Sequence, residues 1–256
     1  MSVVELEGGC RVAFLVHGER GVAVEHQELR IQPLFGRACG AHAISLRALE
    51  FGPGLSPGLS NDACDEVLYV LQGRATVFVD GHRWDISDET GLYLPPGRKL
   101  TVDNRGPAPL VVLSSRCPEP KSSGVRPTVG PLVPTSRPDP SLFVRLEDRP
   151  AVPTGDRWYR VLVDEAAGCG NVTQFIGSIP PGRAPDHYHQ YEEVLFILKG
   201  EGRMWAGSSS APIASGSCVF LPRGQVHCVE NTGSGELRLL GVFYPAGSPA
   251  VRYGAD

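Results

Sequence analysis

The chain has 256 residues, enough for one large domain or two small ones that each bury a hydrophobic core. Its formal net charge is -4 and its basic residues are scattered, which argues against a nucleic-acid or membrane partner. The 31 glycines and 23 prolines, with 7% aromatic residues, favour many short strands joined by turns over a helical bundle. We therefore expect an all-β protein.

The N-terminal segment, MSVVELEGGC, has neither the basic nor the apolar part of a secretory signal, and no run of 18 apolar residues occurs in the chain. The seven cysteines are odd in number and form no C-x-x-C pair. We expect small buried thiols rather than disulfides or a zinc knuckle. These features predict a cytoplasmic protein.

The first part of the chain, residues 1–116, contains apolar runs such as VLYVLQG, GLYLPPG and LVVLSS, each bounded by residues typical of turns. The pattern returns in the second half of the chain. An offset of 127 aligns DEVLYVLQG, residues 65–73, with EEVLFILKG, residues 192–200, and five of the nine positions are identical. The same offset pairs further turn residues without a gap: Pro53 with Pro180, Pro95 with Pro222, Gly97 with Gly224 and Asn104 with Asn231. The sequence therefore predicts two copies of one domain.

Between the copies, residues 117–140 contain seven prolines and show neither strand nor helix periodicity. We expect an extended connector there. The predicted organisation is an N-terminal domain over 1–116, the connector, and a C-terminal domain over 141–256.

The second copy carries ionisable residues at the spacing His187-x-His189-x3-Glu193, followed by His227. Because strand side chains alternate, the first three share one face of an extended segment. Burying them without a cation would be costly. Three imidazoles and one carboxylate from two stretches can instead form a mononuclear metal site that keeps coordination positions open.

These two stretches resemble the motifs of the cupin superfamily, G-x5-H-x-H-x3-4-E-x6-G and G-x5-P-x-G-x2-H-x3-N. The first motif is matched from His187 to Gly200, and its opening glycine, Gly182, is one residue too close. The second motif is matched at every defined position, by Gly216, Pro222, Gly224, His227 and Asn231. The resemblance covers the C-terminal half of the chain.

The resemblance implies two tandem jelly-roll β-barrels of cupin type, with one divalent metal in the second. Its implied ligands are His187, His189, Glu193 and His227, whereas Asn231 is expected to serve a turn. Fe(II) is the favoured ion, and Mn(II), Ni(II), Zn(II) and Cu(II) tolerate the same ligand types.

The first copy keeps the scaffold and loses the imidazoles. The four ligand positions are occupied there by Ser60, Asp62, Glu66 and Leu100. We expect a metal-free N-terminal domain that supports its partner, although a weak site for a hard cation at Asp62 and Glu66 stays open.

Side chains near the ligands are candidates for catalysis and substrate binding. Tyr191 lies on the ligand face and is the candidate proton donor, with a packed aromatic as the alternative. The candidate substrate-binding residues are Arg183, Gln174, Trp205 and Arg238, with Met204 and Phe243 as further wall residues. An error of one residue in strand facing would invert these assignments.

An octahedral ion with four protein ligands keeps two adjacent positions free, which suits a chelating substrate or a substrate beside dioxygen. We expect a metal-dependent oxidoreductase, a mononuclear non-haem dioxygenase acting on a small oxygen-rich molecule. A metal-dependent isomerase, decarboxylase or aminohydrolase, and a non-catalytic small-molecule-binding cupin, are the alternatives. The resemblance is compatible with a homodimer and with a monomer, and no DNA-binding helix-turn-helix is present in the sequence.

Overall fold

The computed structural model describes residues 3–14, 23–121, 124–127, 132–134, 136–250 and 253–254. Nearly all regular structure in these ranges is β, which confirms the predicted fold class. The helical segments described are single 3-10 turns: Glu7–Gly9, Arg37–Cys39, Pro140–Leu142, Leu146–Asp148 and Glu165–Ala167. None of them is long and apolar enough to cross a membrane.

The strands are numbered in chain order. They are β1 (Val3–Glu5), β2 (Arg11–Phe14), β3 (Val24–His26), β4 (Leu29–Phe35), β5 (Leu46–Phe51), β6 (Gly54–Leu55), β7 (Gly58–Ser60), β8 (Asp65–Gln72), β9 (Arg74–Val79), β10 (His82–Ser87), β11 (Thr90–Leu94), β12 (Lys99–Asn104), β13 (Leu110–Cys117), β14 (Val125–Arg126), β15 (Phe143–Arg145), β16 (Val152–Thr154), β17 (Arg157–Val163), β18 (Thr173–Ile179), β19 (Gly182–Arg183), β20 (His187–Tyr188), β21 (Glu192–Lys199), β22 (Glu201–Ala206), β23 (Ser209–Ala214), β24 (Ser217–Leu221), β25 (His227–Asn231), β26 (Leu237–Tyr244) and β27 (Tyr253–Gly254).

The chain divides into two compact units. The C-terminal unit comprises Met1–Arg20, Arg149–Asp164 and Gly170–Asp256, and the N-terminal unit comprises Gly21–Asp148 and Glu165–Cys169. Each unit holds two antiparallel sheets, the double-sheet arrangement of a jelly roll.

In the C-terminal unit the larger sheet has the order β1-β2-β24-β21-β26-β18-β17-β16. The smaller sheet has the order β23-β22-β25-β20-β27, with β19 paired to β25. In the N-terminal unit the corresponding orders are β15-β11-β8-β13-β5-β4-β3 and β10-β9-β12-β7-β14, with β6 paired to β12. The strand orders β24-β21-β26-β18-β17 and β11-β8-β13-β5-β4 are the same path through the two copies.

The predicted repeat is also visible in the turn chemistry. The Asn231 amide nitrogen donates to two carbonyl groups at 2.8 and 2.7 Å, and its Oδ1 accepts a backbone N–H at 2.9 Å. Asn104 makes the equivalent three bonds in the N-terminal unit. The partners are Ile179, Gly235 and Gly233 for Asn231, and Phe51, Ala108 and Gly106 for Asn104. Asn231 therefore ties a turn, as expected.

The unit boundaries differ from the predicted domains of 1–116 and 141–256. Strand β2 pairs with β24, so residues 3–14, the N-terminal arm, extend the larger sheet of the C-terminal unit. Strand β15 pairs with β11 and belongs to the N-terminal unit. Periodicity in a sequence identifies strands but does not say which distant strand each one pairs with. The sequence therefore could not predict that β2 joins the C-terminal unit or that β15 joins the N-terminal unit.

The proline-rich segment 117–140 is not wholly an extended connector. Strand β14 lies within it and pairs with Leu59 and Gly58 of β7. A strand of two residues is too short to produce a periodic pattern, which is why the sequence did not predict it. Residues 122, 123, 128–131 and 135 of this segment lie outside the described residues.

The N-terminal arm contributes buried side chains to the core of the C-terminal unit. Leu6, Cys10 and Val12 lie in one cluster with residues of β21, β22 and β24. The arm is also held by Glu7, whose carboxylate accepts hydrogen bonds from the backbone N–H and the hydroxyl of Ser208 at 2.9 and 2.7 Å. All seven cysteines are free thiols; six of them, Cys10 included, are buried as expected, and Cys39 is half-buried.

Deletion of residues 1–14 is expected to destabilise the C-terminal unit by at least about 3 kcal/mol, since burial of a Leu or Val side chain contributes about 1.5–3 kcal/mol. The deletion also uncovers the edge of β24, which favours aggregation. Urea denaturation followed by fluorescence measures the loss. Deletion of residues 1–5 is the matched control, because Val3 and Val4 are exposed and β2 is retained. Equal stability of the two truncated proteins would contradict the pairing of β2 with β24.

Candidate metal centre

The four predicted ligands converge in the C-terminal unit from both of its sheets. His187 in β20 lies directly opposite His227 in β25 of the smaller sheet. The chain then passes through His189 into β21 of the larger sheet, where Glu193 lies. The segment is not one continuous strand, yet its alternation is kept, and all four side chains line one cavity.

The ligand atoms are spaced for a single ion. The Nε2 atoms of His189 and His227 lie 3.7 and 3.6 Å from Oε2 of Glu193. One ring nitrogen from each of His187, His189 and His227 lies within 4.8 Å of the others. Two ligand atoms that are each about 2.1 Å from one ion are about 3.0–4.2 Å apart, depending on the angle between them. The cluster therefore needs little rearrangement to bind a metal.

Backbone carbonyls orient two of the imidazoles. Nδ1 of His227 lies 2.8 Å from the carbonyl oxygen of Gln225, and Nδ1 of His187 lies 3.0 Å from that of Pro185. An Nδ1–H that donates to a carbonyl leaves Nε2 with its lone pair available for a metal. These two contacts favour the tautomer that metal binding requires.

The site is built for a cation. Burial raises the pKa of Glu193 to about 8. Burial, and then the charge of His187, lower the pKa of His189 and of His227 to about 3. Glu193 Oε2 and His189 Nδ1 are buried, and neither finds a hydrogen-bond partner among the described residues. A carboxylate oxygen that faces two neutral imidazoles and lacks a donor fits a divalent metal.

A cavity of about 100 Å³ lies beside the ligands. Its apolar walls include Phe175, Leu239 and Phe243, and Tyr159 and Arg157 line it from β17. Arg157 has the same strand parity as Tyr159, which packs against the barrel core, and both line the cavity, as does Trp158 between them. Apart from the histidines, Arg157 is the one cationic side chain among the described residues that line the cavity.

The model of the cupin domain family matches residues 49–116 and 175–243, more than half of the chain. The chain belongs to the cupin family. Because the matched regions fall one in each unit, the protein is a bicupin of two tandem jelly-roll domains.

Relatives of this cupin match parts of it. An uncharacterised protein of Aquifex aeolicus is 33% identical over 85 residues, 32% of this chain and 69% of the relative. An oxalate-binding protein of Thermotoga maritima is 38% identical over 67 residues, 25% of this chain and 55% of the relative. A variant of Bacillus subtilis oxalate decarboxylase has a TM-score of 0.70 at 14% identity, over 88% of this chain and 76% of the other. At that identity the structural likeness concerns the fold.

The N-terminal cupin satisfies its retained glutamate without a metal. Both oxygens of Glu66 are bound, one by Arg47 and Ser114 at 2.7 and 2.6 Å and the other by Asn61 at 2.7 Å. Although burial alone would raise the pKa of Glu66, the charge of Arg47 and these hydrogen bonds hold it below its ordinary value. Asp62 is 78% exposed and lies away from this network. The hard-cation site left open by the sequence is therefore not formed by these residues.

Tyr191 is a packing residue in the structure. Its ring stacks on His189 at 4.8 Å between centroids and lies 4.5 Å from Phe243. Its hydroxyl donates to the carbonyl oxygen of Ser248 at 3.4 Å. This placement favours the packed-aromatic alternative over the proposed proton donor.

Gln174 and Arg238, predicted as substrate-binding residues, do not line the cavity. Their neighbours Phe175 and Leu239 do, which means that the predicted facing is wrong by one residue in β18 and β26. Arg238 instead pairs with Glu236 at 3.3 Å. A strand buried on both faces shows no alternation between polar and apolar residues, so its facing could not be read from the sequence.

Arg183 and Trp205 also lie outside the cavity. The guanidinium of Arg183 is 4.3 Å from the Trp205 ring centroid and 3.1 Å from Asp186. Trp205 Nε1 donates to Glu230 at 2.8 Å. Met204, the neighbour of Trp205, is the residue that enters the core, and Phe243 is a cavity wall as expected.

Arg157 is a cavity residue that was not predicted from the sequence. The pattern Arg157-x-Tyr159-x-Val161 alternates with period two and could have indicated that these three residues share one face of a strand. The pattern lies before the first metal motif, in a region where the two copies do not align at the offset of 127.

Proposed function

We propose that this bicupin is a metal-dependent enzyme that removes carbon dioxide from a small dicarboxylate of the oxalate class. The observation that carries the proposal is one cavity of about 100 Å³ lined by both the four ligand residues and Arg157. A molecule of liquid water occupies about 30 Å³, so the cavity suits a ligand with few non-hydrogen atoms.

Charge favours a dianion. A divalent ion and the Glu193 carboxylate leave one positive charge at the ligand cluster, and Arg157 adds a second. The contact of Arg157 with the exposed Asp156 uses Nε, at 2.9 Å. The two terminal nitrogens are not part of that contact, and a planar guanidinium matches the geometry of a carboxylate.

Each part of the cavity has a place in the reaction. The metal, when bound, supplies a Lewis acid for carboxylate oxygens. Arg157 holds the distal carboxylate, and Phe175, Leu239 and Phe243 exclude water. Cleavage of the carbon–carbon bond releases carbon dioxide and leaves the electron pair on the remaining carbon, where a proton replaces it. Thr154 and Tyr159 line the cavity, and their hydroxyl groups can pass that proton.

The comparisons support decarboxylation more than oxygenation. One relative is an oxalate-binding protein, one structural neighbour is an oxalate decarboxylase, and a further neighbour is the same enzyme, described with Mn(II) centres. The dioxygenase expected from the sequence stays a prediction without support from these relatives. Binding of the dicarboxylate without turnover is the second candidate, favoured by the oxalate-binding relative from Thermotoga maritima.

The full chain, stripped of metal and reloaded separately with Mn(II), Fe(II) and Zn(II), tests the proposal. We expect equal amounts of formate and carbon dioxide from oxalate with at least one metal, and no product from metal-free protein. His42→Ala, at an exposed histidine of the N-terminal unit, is expected to retain full activity.

Three other outcomes would contradict the proposal. Calorimetric binding of oxalate without formation of product would favour the second candidate function, binding without turnover. Oxygen consumption in proportion to the substrate consumed would favour the dioxygenase function expected from the sequence. If the protein neither bound nor converted oxalate or malonate, small dicarboxylates would be excluded as its substrates.

Arg157→Gln is expected to raise the KM for the dianion about 10- to 100-fold, since a hydrogen bond to a charged group contributes about 1.5–3 kcal/mol. Metal content should stay unchanged, because Arg157 is not a ligand. Arg160→Gln is the matched control on the same strand, since Arg160 does not line the cavity and lies against Trp158. Equal KM values for the two variants would show that Arg157 does not bind the substrate.

A further inference from the structure

The N-terminal cupin has a cavity of its own. Two aromatic residues that line the metal cavity are replaced by charged residues in this unit. The strand registers give the equivalent positions. Arg47 lies opposite Ser114 as Phe175 lies opposite Gly241, and Arg116 lies opposite Glu66 as Phe243 lies opposite Glu193. Two phenylalanines of the metal cavity therefore correspond to two buried arginines.

This second cavity has a volume of about 140 Å³. Its apolar lining residues are Val24, Ile31, Pro33, Phe35 and Leu46. Its polar lining residues are Ser45, Arg47, Arg116 and Glu119. Val24 is 45% exposed, so the cavity wall continues to the protein surface there.

The polar lining residues have the features of an anion-binding site. Arg47 and Arg116 are 3% and 8% exposed. Burial, and then the charge of Arg47, lower the pKa of Arg116. Ser45 is 2% exposed, and its hydroxyl has no hydrogen-bond partner among the described residues. Two buried guanidinium groups beside an unsatisfied hydroxyl match the donors that a carboxylate accepts.

Two carboxylates of the protein lie near these arginines. Glu66 neutralises Arg47 at 2.7 Å but does not line the cavity. Glu119 does line it, and its Oε2 accepts a hydrogen bond from the backbone N–H of Arg37 at 2.7 Å. Glu119 is therefore one group with which an incoming anion competes.

We propose that this cavity binds a small organic acid without a metal, with its carboxylate on Arg47, Arg116 and Ser45 and its short apolar part against Val24, Ile31 and Phe35. Arg47 and Arg116 beside Glu66 leave one positive charge, as a divalent ion beside Glu193 would in the C-terminal cupin. The site is independent of the proposed decarboxylation, since none of its residues belongs to the C-terminal unit.

Calorimetric titration of the full chain with butyrate tests the proposal, with butanamide as the uncharged analogue. Butyrate should bind and butanamide should not. Ser45→Ala should weaken butyrate binding about three- to tenfold, the range for one lost hydrogen bond. Val24→Trp should abolish it by filling the mouth, and Glu119→Gln should strengthen it by removing the competing charge.

These variants leave the Arg47–Glu66 pair intact, and unfolding curves confirm that each protein is folded. Arg157→Gln, which alters the cavity of the C-terminal cupin, should leave butyrate binding unchanged. Absence of butyrate binding, equal binding of butanamide, or loss of binding in Arg157→Gln but not in Val24→Trp would each overturn the proposal.

Discussion

Replacement of Glu193 by glutamine is expected to remove tightly bound metal from this bicupin while both units stay folded. Glu193 is the predicted anionic ligand, and its Oε2 lies 3.6 and 3.7 Å from two imidazole nitrogens. Loss of groups that merely orient a ligand costs about 10- to 100-fold in metal affinity, so loss of the anionic ligand itself should cost at least about 100-fold. The isosteric amide removes a buried ionisable group that lacks a donor, so the metal-free protein should not lose stability.

Elemental analysis after dialysis against a weak chelator measures this effect, and thermal unfolding with and without added metal supports it. Metal at about 100 times its Kd stabilises a folded protein by about 2.7 kcal/mol, and the variant should lose most of that gain. Glu230→Gln is the matched control, since Glu230 lies in β25 and accepts from Trp205 instead of facing the imidazoles. One ion retained per chain in Glu193→Gln, or metal lost from Glu230→Gln, would contradict the ligand assignment.

The sequence predicted the features that repeat. The offset of 127 identified both copies, and period-two alternation placed His187, His189 and Glu193 on one face although the strand breaks between them. Asn231 was predicted to tie a turn, and the three bonds that it shares with Asn104 show it doing so. Each of these features follows from spacing along the chain, so the sequence was enough to predict them.

Other features depend on partners far along the chain. The pairing of β2 with β24 and of β15 with β11 links segments that no spacing relates. Gln174 and Arg238 were assigned to the wrong face because their strands are buried on both sides, where one residue of register decides the answer. The replacement of Phe175 and Phe243 by Arg47 and Arg116 is visible only once the strand registers are known.

The buried ion pair of the N-terminal cupin has the second large expected effect. Arg47→Met is expected to destabilise the N-terminal unit by about 3–5 kcal/mol, because it leaves the carboxylate of Glu66 buried without the cation that is hydrogen-bonded to it. Glu66 is fully buried, and Arg47 is its direct charge partner at 2.7 Å. Urea denaturation of the full chain measures the change. Metal content should be unchanged, because the predicted metal ligands lie in the other unit.

The double variant Arg47→Met/Glu66→Leu separates the lost charge partner from lost packing. With this pair removed, the protein should be more stable than Arg47→Met, since apolar replacements of a buried pair are often neutral or stabilising. Full recovery is not expected, because the buried Arg116 also loses the favourable charge of Glu66. Arg30→Met is the matched control, since Arg30 pairs with Glu50 at 2.9 Å in the same unit but both side chains are partly exposed. Such a pair contributes at most about 1 kcal/mol. If Arg47→Met and Arg30→Met had equal effects, or if the double variant were no more stable than Arg47→Met, Arg47 would not serve as the cation that replaces the metal beside Glu66.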